Sequence, residues 1–437
     1  MLVFKWPPRL AYLALFTFVT SSLNVASAAP AITLDGPMTE FFSLSNNPNE
    51  VYSEPGHHKY GAWVDGPMNP YKYGENTFFQ IPHSEIFRIK VPGNDWGNPT
   101  AWTMEGAPLP GASITPPQRD TAESHYNNRN WMFSVYAQNG LLYGITHHEW
   151  YKCFASTTLP GFKCDDSPFW ATSIGWAKSC DGGSTWSMRP VSEGASRLIV
   201  APEPSSSVQA NSKYGFMHPS NVVKEGNYYY IFTSTVNYDH KLNESSGVAL
   251  FRTDDISKPV GWQFWNGDGW TLIDHSVYQG NFGSQMPHVF QSRPDDCNIL
   301  YAMNVRQHRT SGKWIVLGSK WCLTPTTPGG NDFKYQAVFS WVNSLDNPRG
   351  LDNHWSDVQQ NGFSLGYNCY YSFFDVDGST DDNYQSVGDN PLLVVTNSDS
   401  SGAQDTYYSQ HITLTGFVDL PTPNVNLPAM IINLLLD

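Results

Sequence analysis

Runs of lysine or arginine are missing from this chain, and 25 Lys and Arg stand against 39 Asp and Glu for a formal charge of −14. Nucleic acid is excluded as a partner on that ground, because its binding is driven by clustered cations that release counterions from phosphate. No CxxC pair occurs among the six cysteines, which removes the familiar zinc and redox spacings. Apolar runs are short: neither Leu10 to Val19 nor the tail around Met430 to Leu436 reaches the roughly 20 residues of a membrane-spanning helix. Long stretches of helical amphipathic period are absent as well, as is any Pro- or Ser-rich linker. What remains is an all-β chain without an obvious internal boundary.

The first 28 residues carry Lys5 and Arg9, then the apolar run, then Ala26-Ser27-Ala28. This is the order of a signal peptide, so the mature protein is expected to be soluble and secreted, extracellular or periplasmic. Residues 29–437 are then expected to form one domain. Six cysteines beyond the cleavage site favour disulfides in such a chain, and Asn243-Glu244-Ser245 is a glycosylation sequon. The chain has 16 Trp and 23 Tyr with only 15% charged residues, which leaves many amphipathic rings to place in cores or against the apolar faces of sugars.

From about residue 60 to 417, short β-branched and aromatic runs alternate with Gly, Asn, Asp and Pro. Aligned by hairpins, they repeat. Residues 216–238, FMHPSNVVKEGNYYYIFTSTVNY, read as strand, Glu-Gly-Asn turn and strand, followed by GVALFRTDDISKPVGWQFW. The same order runs from Asn130 with an Asn-Gly turn, from Met286, from Trp63 to Trp102, and from Tyr370 to Asn397. Five such units of four antiparallel strands are what the blades of a β-propeller look like.

Ser179 to Trp186, SCDGGSTW, fits Ser-x-Asp-x-Gly-x-Thr-Trp and reads as the hairpin between the third and fourth strands of the second unit. It resembles the Asp box of sialidases and related propellers. Residues 218–234, HPSNVVKEGNYYYIFTS, and 247–257, GVALFRTDDIS, extend the likeness, and the order of the units resembles the five-bladed glycoside hydrolases of the arabinanase, xylosidase and fructosidase kind. That resemblance implies a five-bladed β-propeller of four-stranded antiparallel blades. It also implies a base Asp on the first inner strand, a second Asp on the next blade and an acid Glu on the third. Asp65 matches the first by position. The third inner strand opens with His218 instead of Glu, so Glu149 stands in as the acid.

Strand direction locates the site independently. In an antiparallel hairpin the start of the first strand and the end of the second share one edge, so five aligned units gather those positions at one mouth of a channel. Asp65, Glu123 and His125 precede inner strands, and His147, His148 and Glu149 end a second strand. His218, His288 and Tyr371 open later units, and Arg306 follows a hairpin. Each has a bland counterpart: Asp65 sits in a turn-like Asp-Gly-Pro, the histidines suit backbone-bonded core positions, and Arg306 suits an acidic loop. Asp65 and Glu149 are the expected catalytic pair, because glycoside hydrolysis needs two carboxyl groups about 5 to 10 Å apart. Glu123, His125, His147, His148, His218, His288, Arg306 and Tyr371 are the expected substrate contacts.

Two other readings compete. Histidine and tyrosine at the mouth suit a polysaccharide lyase in which Arg306 neutralises a uronate carboxylate, and the aromatic content suits a carbohydrate-binding propeller without catalysis. Sialidase chemistry would need three inner-strand arginines, and Arg306, Arg129 and Arg252 do not supply them. No cofactor is expected. A channel cation such as calcium is implied by the resemblance alone, and histidine is a poor ligand for it. The protein is expected to act as a monomer. In the fourth unit Cys297 is read in the first hairpin turn and Cys322 at the end of the third strand, which share an edge and so are expected to bond. Cys153 and Cys164 flank one loop and are a second candidate pair, while Cys180 and Cys369 stay unassigned.

Overall fold

The computed structural model of the chain describes residues 29–43, 66–82, 87–106, 126–151, 170–202, 213–237, 247–275, 289–291, 297–327, 330–351, 355–358, 370–376, 381–397 and 406–417. Alternating apolar residues and turn-forming breaks yield strands, as the sequence pattern predicts. They are β1 (Ala31–Ser43), β2 (Asn69–Tyr73), β3 (Asn76–Ile81), β4 (Phe87–Val91), β5 (Thr103–Gly106), β6 (Arg129–Gln138), β7 (Leu141–Tyr151) and β8 (Trp170–Ser179). Next come β9 (Leu198–Val200), β10 (Lys213–Met217), β11 (Val223–Glu225), β12 (Tyr228–Asn237), β13 (Gly247–Thr253), β14 (Gln263–Trp265), β15 (Trp270–Leu272) and β16 (Phe290–Gln291). The last are β17 (Cys297–His308), β18 (Trp314–Thr327), β19 (Gly330–Val342), β20 (Ser356–Asp357), β21 (Tyr370–Phe374), β22 (Ser386–Val387), β23 (Leu392–Asn397) and β24 (Thr406–Thr415).

Hydrogen bonding groups these strands into four sheets. One runs β2-β3-β4-β5, one β20-β19-β18-β17-β22, and one β1-β24-β23-β21. The fourth joins β6, β7 and β8 to β12, β13, β14 and β15 through β10, which pairs parallel to β8 and antiparallel to β12. The second and third sequence units therefore share a sheet. In the β1-β24-β23-β21 sheet the outermost strand comes from the other end of the chain: β1 pairs with β24 from Ala31↔Thr415 to Ser43↔Thr406.

Buried asparagines tie the inner strands together at one level. Asn69 Nδ2 donates to the Phe133 carbonyl at 3.1 Å, and Asn304 Nδ2 donates to Asn69 Oδ1 at 2.9 Å. The Phe373 amide donates to Asn304 Oδ1 at 3.3 Å. Asn221 donates to the Val305 carbonyl at 2.9 Å and accepts from its amide at 2.7 Å. These bonds join β2, β6, β17, β21 and the segment leading into β11, so these parts of the sheets meet at a common centre. Each amide replaces water at a position where an unpaired polar group would cost about 1–3 kcal/mol.

At the turn ends of the same strands, residues 381–387 close the centre. The Lys72 amide donates to the Asp382 carbonyl at 2.6 Å, Asn383 bonds both backbone groups of Ala137, Gln385 bonds both of Lys224, and the Gln307 amide donates to the Gln385 carbonyl at 2.8 Å. Asp381 anchors the segment by accepting the amides of Asn383 at 3.0 Å and Gln385 at 2.8 Å.

The turn at 179–186 packs against the first sheet. Asp181 accepts the Thr185 amide at 2.9 Å and the Thr185 hydroxyl at 2.6 Å, and these bonds hold its carboxyl down at about 2. Gly182 and Gly183 take φ of 71° and 87°, as the tight turn requires. Trp186 is buried with Tyr71, Phe78, Met132, Leu142 and Ala177 between the β2–β5 and β6–β8 strands.

The fourth unit departs from its sequence reading. The strand before it, β16, pairs with β13 of the preceding set, and β17 is the inner strand. Strand β17 therefore begins at the mouth with Cys297 and ends at the turn side with Arg306, Gln307 and His308. Cys297 and Cys322 stand directly opposite one another on β17 and β18, two neighbouring strands rather than first and third. Cys180 is a free, exposed thiol, and Cys153, Cys164 and Cys369 lie outside the described residues. Among the described residues, no helix is long and apolar enough to cross a membrane.

Candidate functional site

Strand β7 ends in Thr146-His147-His148-Glu149-Trp150, and the two-residue period of a strand puts His147 and Glu149 on one face and His148 on the other. Pairing with β6 brings Trp131 opposite His147 and Arg129 opposite Glu149. The ladder shifts register between Met132 and Ser134. That bulge puts Phe133 beside the ring of Trp131, with centroids 6.5 Å apart and planes 13° from parallel. Backbone pairing continues past the strand, where the Asn128 amide donates to the Glu149 carbonyl at 2.9 Å.

On that face His147 Nε2 lies 3.1 Å from Glu149 Oε1, and both side chains are buried, Glu149 with 2% exposure. A carboxyl in contact with an imidazole is equipped to pass a proton to a bound group and recover it. Around the pair, His147 lies 5.5 Å from the Trp131 ring, 5.6 Å from Phe133 and 5.9 Å from His218. The His218 imidazole stacks on Phe133 at 5.4 Å, and Tyr370 meets its edge at 5.8 Å. His218 itself takes φ 47°, left-handed backbone that costs a non-glycine residue roughly 1–2 kcal/mol and that concentrates at functional sites. Burial, and secondarily the charge of His147, push its imidazole down to about 3, so it is neutral near pH 7.

Trp131 contributes something further. Its indole Nε1 is buried and has no hydrogen-bond partner among the described residues, although an indole N–H in such a place usually finds one. A buried indole N–H beside an acid–imidazole pair is able to donate to a ligand oxygen.

The expected residues divide. His147, Glu149 and His218 come together as described. His148 turns away: its Nδ1 donates to the Tyr126 carbonyl at 3.2 Å while its Nε2 accepts the Thr146 hydroxyl at 2.7 Å. Burial, then the charges of Arg197 and His147, hold it well below the ordinary histidine range, and its ring occupies the space a Cβ on Gly175 would need. It is a fastening between strands. Tyr371 lies in the core with Leu317, Phe339, Phe373 and Leu393, and its neighbour Tyr370 takes the place by His218. Arg306 is fully buried at the turn side, its Nε donating to the Phe373 carbonyl at 3.0 Å. Asp65, Glu123, His125 and His288 lie outside the described residues. Trp131 and Phe133 join the site without having been named from sequence, whereas Tyr370 opens the fifth unit with Tyr371 in the sequence reading but is not an expected contact there.

Among the described residues, no group of three or more His, Cys, Asp or Glu side chains is placed to hold a metal. The rings beside His218 do not make the oxygen shell that calcium takes.

No protein-family model matches the chain, and no curated protein matches it in sequence. Among solved structures, an alpha-L-arabinanase mutant of Cellvibrio cellulosa is 12% identical with a TM-score of 0.43, over 79% of this chain and 90% of that one. A family 117 glycoside hydrolase of Zobellia galactanivorans is 10% identical with a TM-score of 0.42, over 90% and 94%. An alpha-L-arabinofuranosidase mutant of Fusarium graminearum is 11% identical with a TM-score of 0.40, over 86% and 98%. Likeness at this level carries no argument about chemistry, so the functional reading rests on the geometry above.

Proposed function

We propose that the chain is an exported glycoside hydrolase acting on a poly- or oligosaccharide, its five strand sets forming the blades of a propeller and its 179–186 turn an Asp box. The observation that carries the reading is the buried Glu149 in hydrogen-bond contact with His147, set among Trp131, Phe133, His218 and Tyr370 where the inner strands converge. In this reading Glu149 donates its proton to the leaving oxygen as the glycosidic C–O bond breaks, and His147 keeps the carboxyl aimed. The rings of Trp131 and Tyr370 stack on the apolar faces of the sugar. Asp65 is the second carboxylate, as nucleophile or as base for water. Support for it comes from Gly66, the next residue, which lies so close to Phe133 that an added Cβ would sit 2.7 Å from the ring.

The lyase alternative loses support, because the cation it assigns to a uronate carboxylate, Arg306, is buried near the turn end of β17, away from Glu149 and His147. Incubation of the purified protein with a panel of polysaccharides tests the proposal, with reducing ends and the absorbance of unsaturated uronates both recorded. New reducing ends without that absorbance, lost in Glu149→Gln and in Asp65→Asn, are the expected result. Absorbance rising with the reducing ends identifies a lyase, and binding without either identifies a lectin.

A further inference from the structure

Arg306 carries a charge into the middle of the fold and has no counter-charge bonded to it among the described residues. It is wholly buried on β17, two residues beyond Asn304. Its contacts are neutral: Nε donates to the Phe373 carbonyl at 3.0 Å and Nη1 to its own neighbour's carbonyl, Val305, at 3.3 Å. Nη2 finds no acceptor among the described residues. The carboxylates whose charge reaches it, Asp381 and Asp375, have other duties. Asp375 bonds Arg309 and accepts the Gly388 amide at 2.9 Å, and Asp381 accepts the amides of the 383–386 turn. Burial lowers the guanidinium to about 9, which leaves it charged at neutral pH.

Bracing does not account for the charge. Asn304 and Arg306 together grip the backbone of Phe373, one at its amide and one at its carbonyl, and a neutral donor would serve that purpose. A buried cation with no bonded counter-ion carries a desolvation penalty that a bound anion offsets. The charge of such a counter-ion is bounded by its surroundings. Asp381 and Asp375 already put negative charge near Arg306, so a monoanion on its free donor meets less repulsion than a dianion would.

We propose that Arg306 Nη2 holds a small monovalent anion of the halide class on the turn side of the convergence of the inner strands, above the 381–387 segment. The sign is opposite to that of the cation implied by the family resemblance, because a cation at this depth would face the charged guanidinium. The site is separate from Glu149 and stands whether or not the chain hydrolyses glycosides.

Crystals of the unaltered protein soaked in sodium bromide test this through the anomalous signal of bromine. Bromide within about 3.5 Å of Nη2 is the expected result, and a map with no bromide there overturns the proposal. Melting in chloride against gluconate at equal ionic strength is the solution test. A saturable rise of about 1–3 °C in chloride is expected, since a ligand of the folded state alone stabilises by mass action. Equal melting temperatures in the two salts would count against a bound halide. Arg306→Met should abolish the chloride-specific rise, and a rise that survives in that variant assigns it to another site. If the variant does not fold, the bromide map decides alone.

Discussion

At the turn end of the inner strands, Asp381 accepts backbone amides, and Asn383 and Gln385 pair with the backbones of Ala137 and Lys224. At the mouth end, Glu149 meets an imidazole, and His218 and Trp131 meet rings. The first arrangement spends polar side chains on buried or turn main-chain groups, which is what stability requires. The second holds titratable and donor groups against one another in an apolar surround, where proton affinity is easily shifted by a ligand. One end fastens the sheets, and the other is where the proposed chemistry would take place.

The sharpest way to break this contrast is a pair of substitutions. Glu149→Gln keeps shape and hydrogen-bonding capacity but removes the transferable proton, so turnover on the substrate found in the panel should fall on the order of 10³-fold with binding retained. Asp381→Ala should do the reverse. It strips several amides of their acceptor and should lower unfolding free energy by about 2 kcal/mol with turnover nearly intact. Denaturant titration and steady-state kinetics on both variants measure the two quantities. An Asp381→Ala protein that is stable but inactive would erase the division between the ends.

The mouth end also carries the predicted covalent tie. Directly opposite residues of an antiparallel pair have Cα atoms about 4.5–5.5 Å apart, inside the range a disulfide spans. With Cys297 opposite Cys322, a bridge should appear as a linked peptide pair in non-reducing digests. Its reduction should cost about 3 kcal/mol for a loop of this length. Peptides recovered with free thiols under non-reducing conditions would sink this prediction.

Acid should unsettle the mouth before the turn end. The unfolded chain binds a proton at His218 near pH 6.5, while the folded chain does so only near 3. Stability is therefore retained above pH 6.5 and lost as pH falls toward 3, by up to about 1.4 kcal/mol per pH unit for this group. His148, shifted in the same direction, adds to the loss. His218→Asn suits the left-handed backbone, which asparagine tolerates, and should flatten the acid limb measured by urea unfolding between pH 7 and 5. An unchanged limb would mean that His218 titrates normally in the folded protein.

Much of this was legible in the sequence, and the gaps have physical causes. The Asn139-Gly140 turn with both φ positive, at 53° and 74°, and the 179–186 turn were readable because their backbone conformations demand those residues. Strand β1 was not, since Gly36-Pro37 reads as a break and its pairing is irregular between Asp35 and Thr39. Face assignment failed at Tyr370 and Tyr371 because adjacent strand residues exchange faces with a one-residue slip, and the sequence does not state the register. Arg306 was placed at the wrong end for a related reason: β16 resembles an inner strand and pairs elsewhere. The tying asparagines did leave a signal, a lone Asn beside apolar residues in Met68-Asn69-Pro70, Asn221-Val222 and Met303-Asn304-Val305, repeated from one unit to another.

The smallest expected effect bears most directly on what the mouth is for. If Trp131 only packs, Trp131→Phe keeps the stack on Phe133 and changes little besides volume. If its dry N–H donates to a ligand oxygen, the same substitution removes one neutral hydrogen bond, worth about 1 kcal/mol. Substrate affinity should then weaken about fivefold at nearly constant turnover, because a positioning bond is made alike in the ground and transition states. The free protein should be no less stable, since a buried donor without a partner is being exchanged for carbon. Calorimetric titration of the inactive Glu149→Gln background, with and without Trp131→Phe, isolates binding from catalysis. Equal affinities in the two would return Trp131 to the core and leave the mouth end with Glu149, His147 and His218 alone to distinguish it from the turn end.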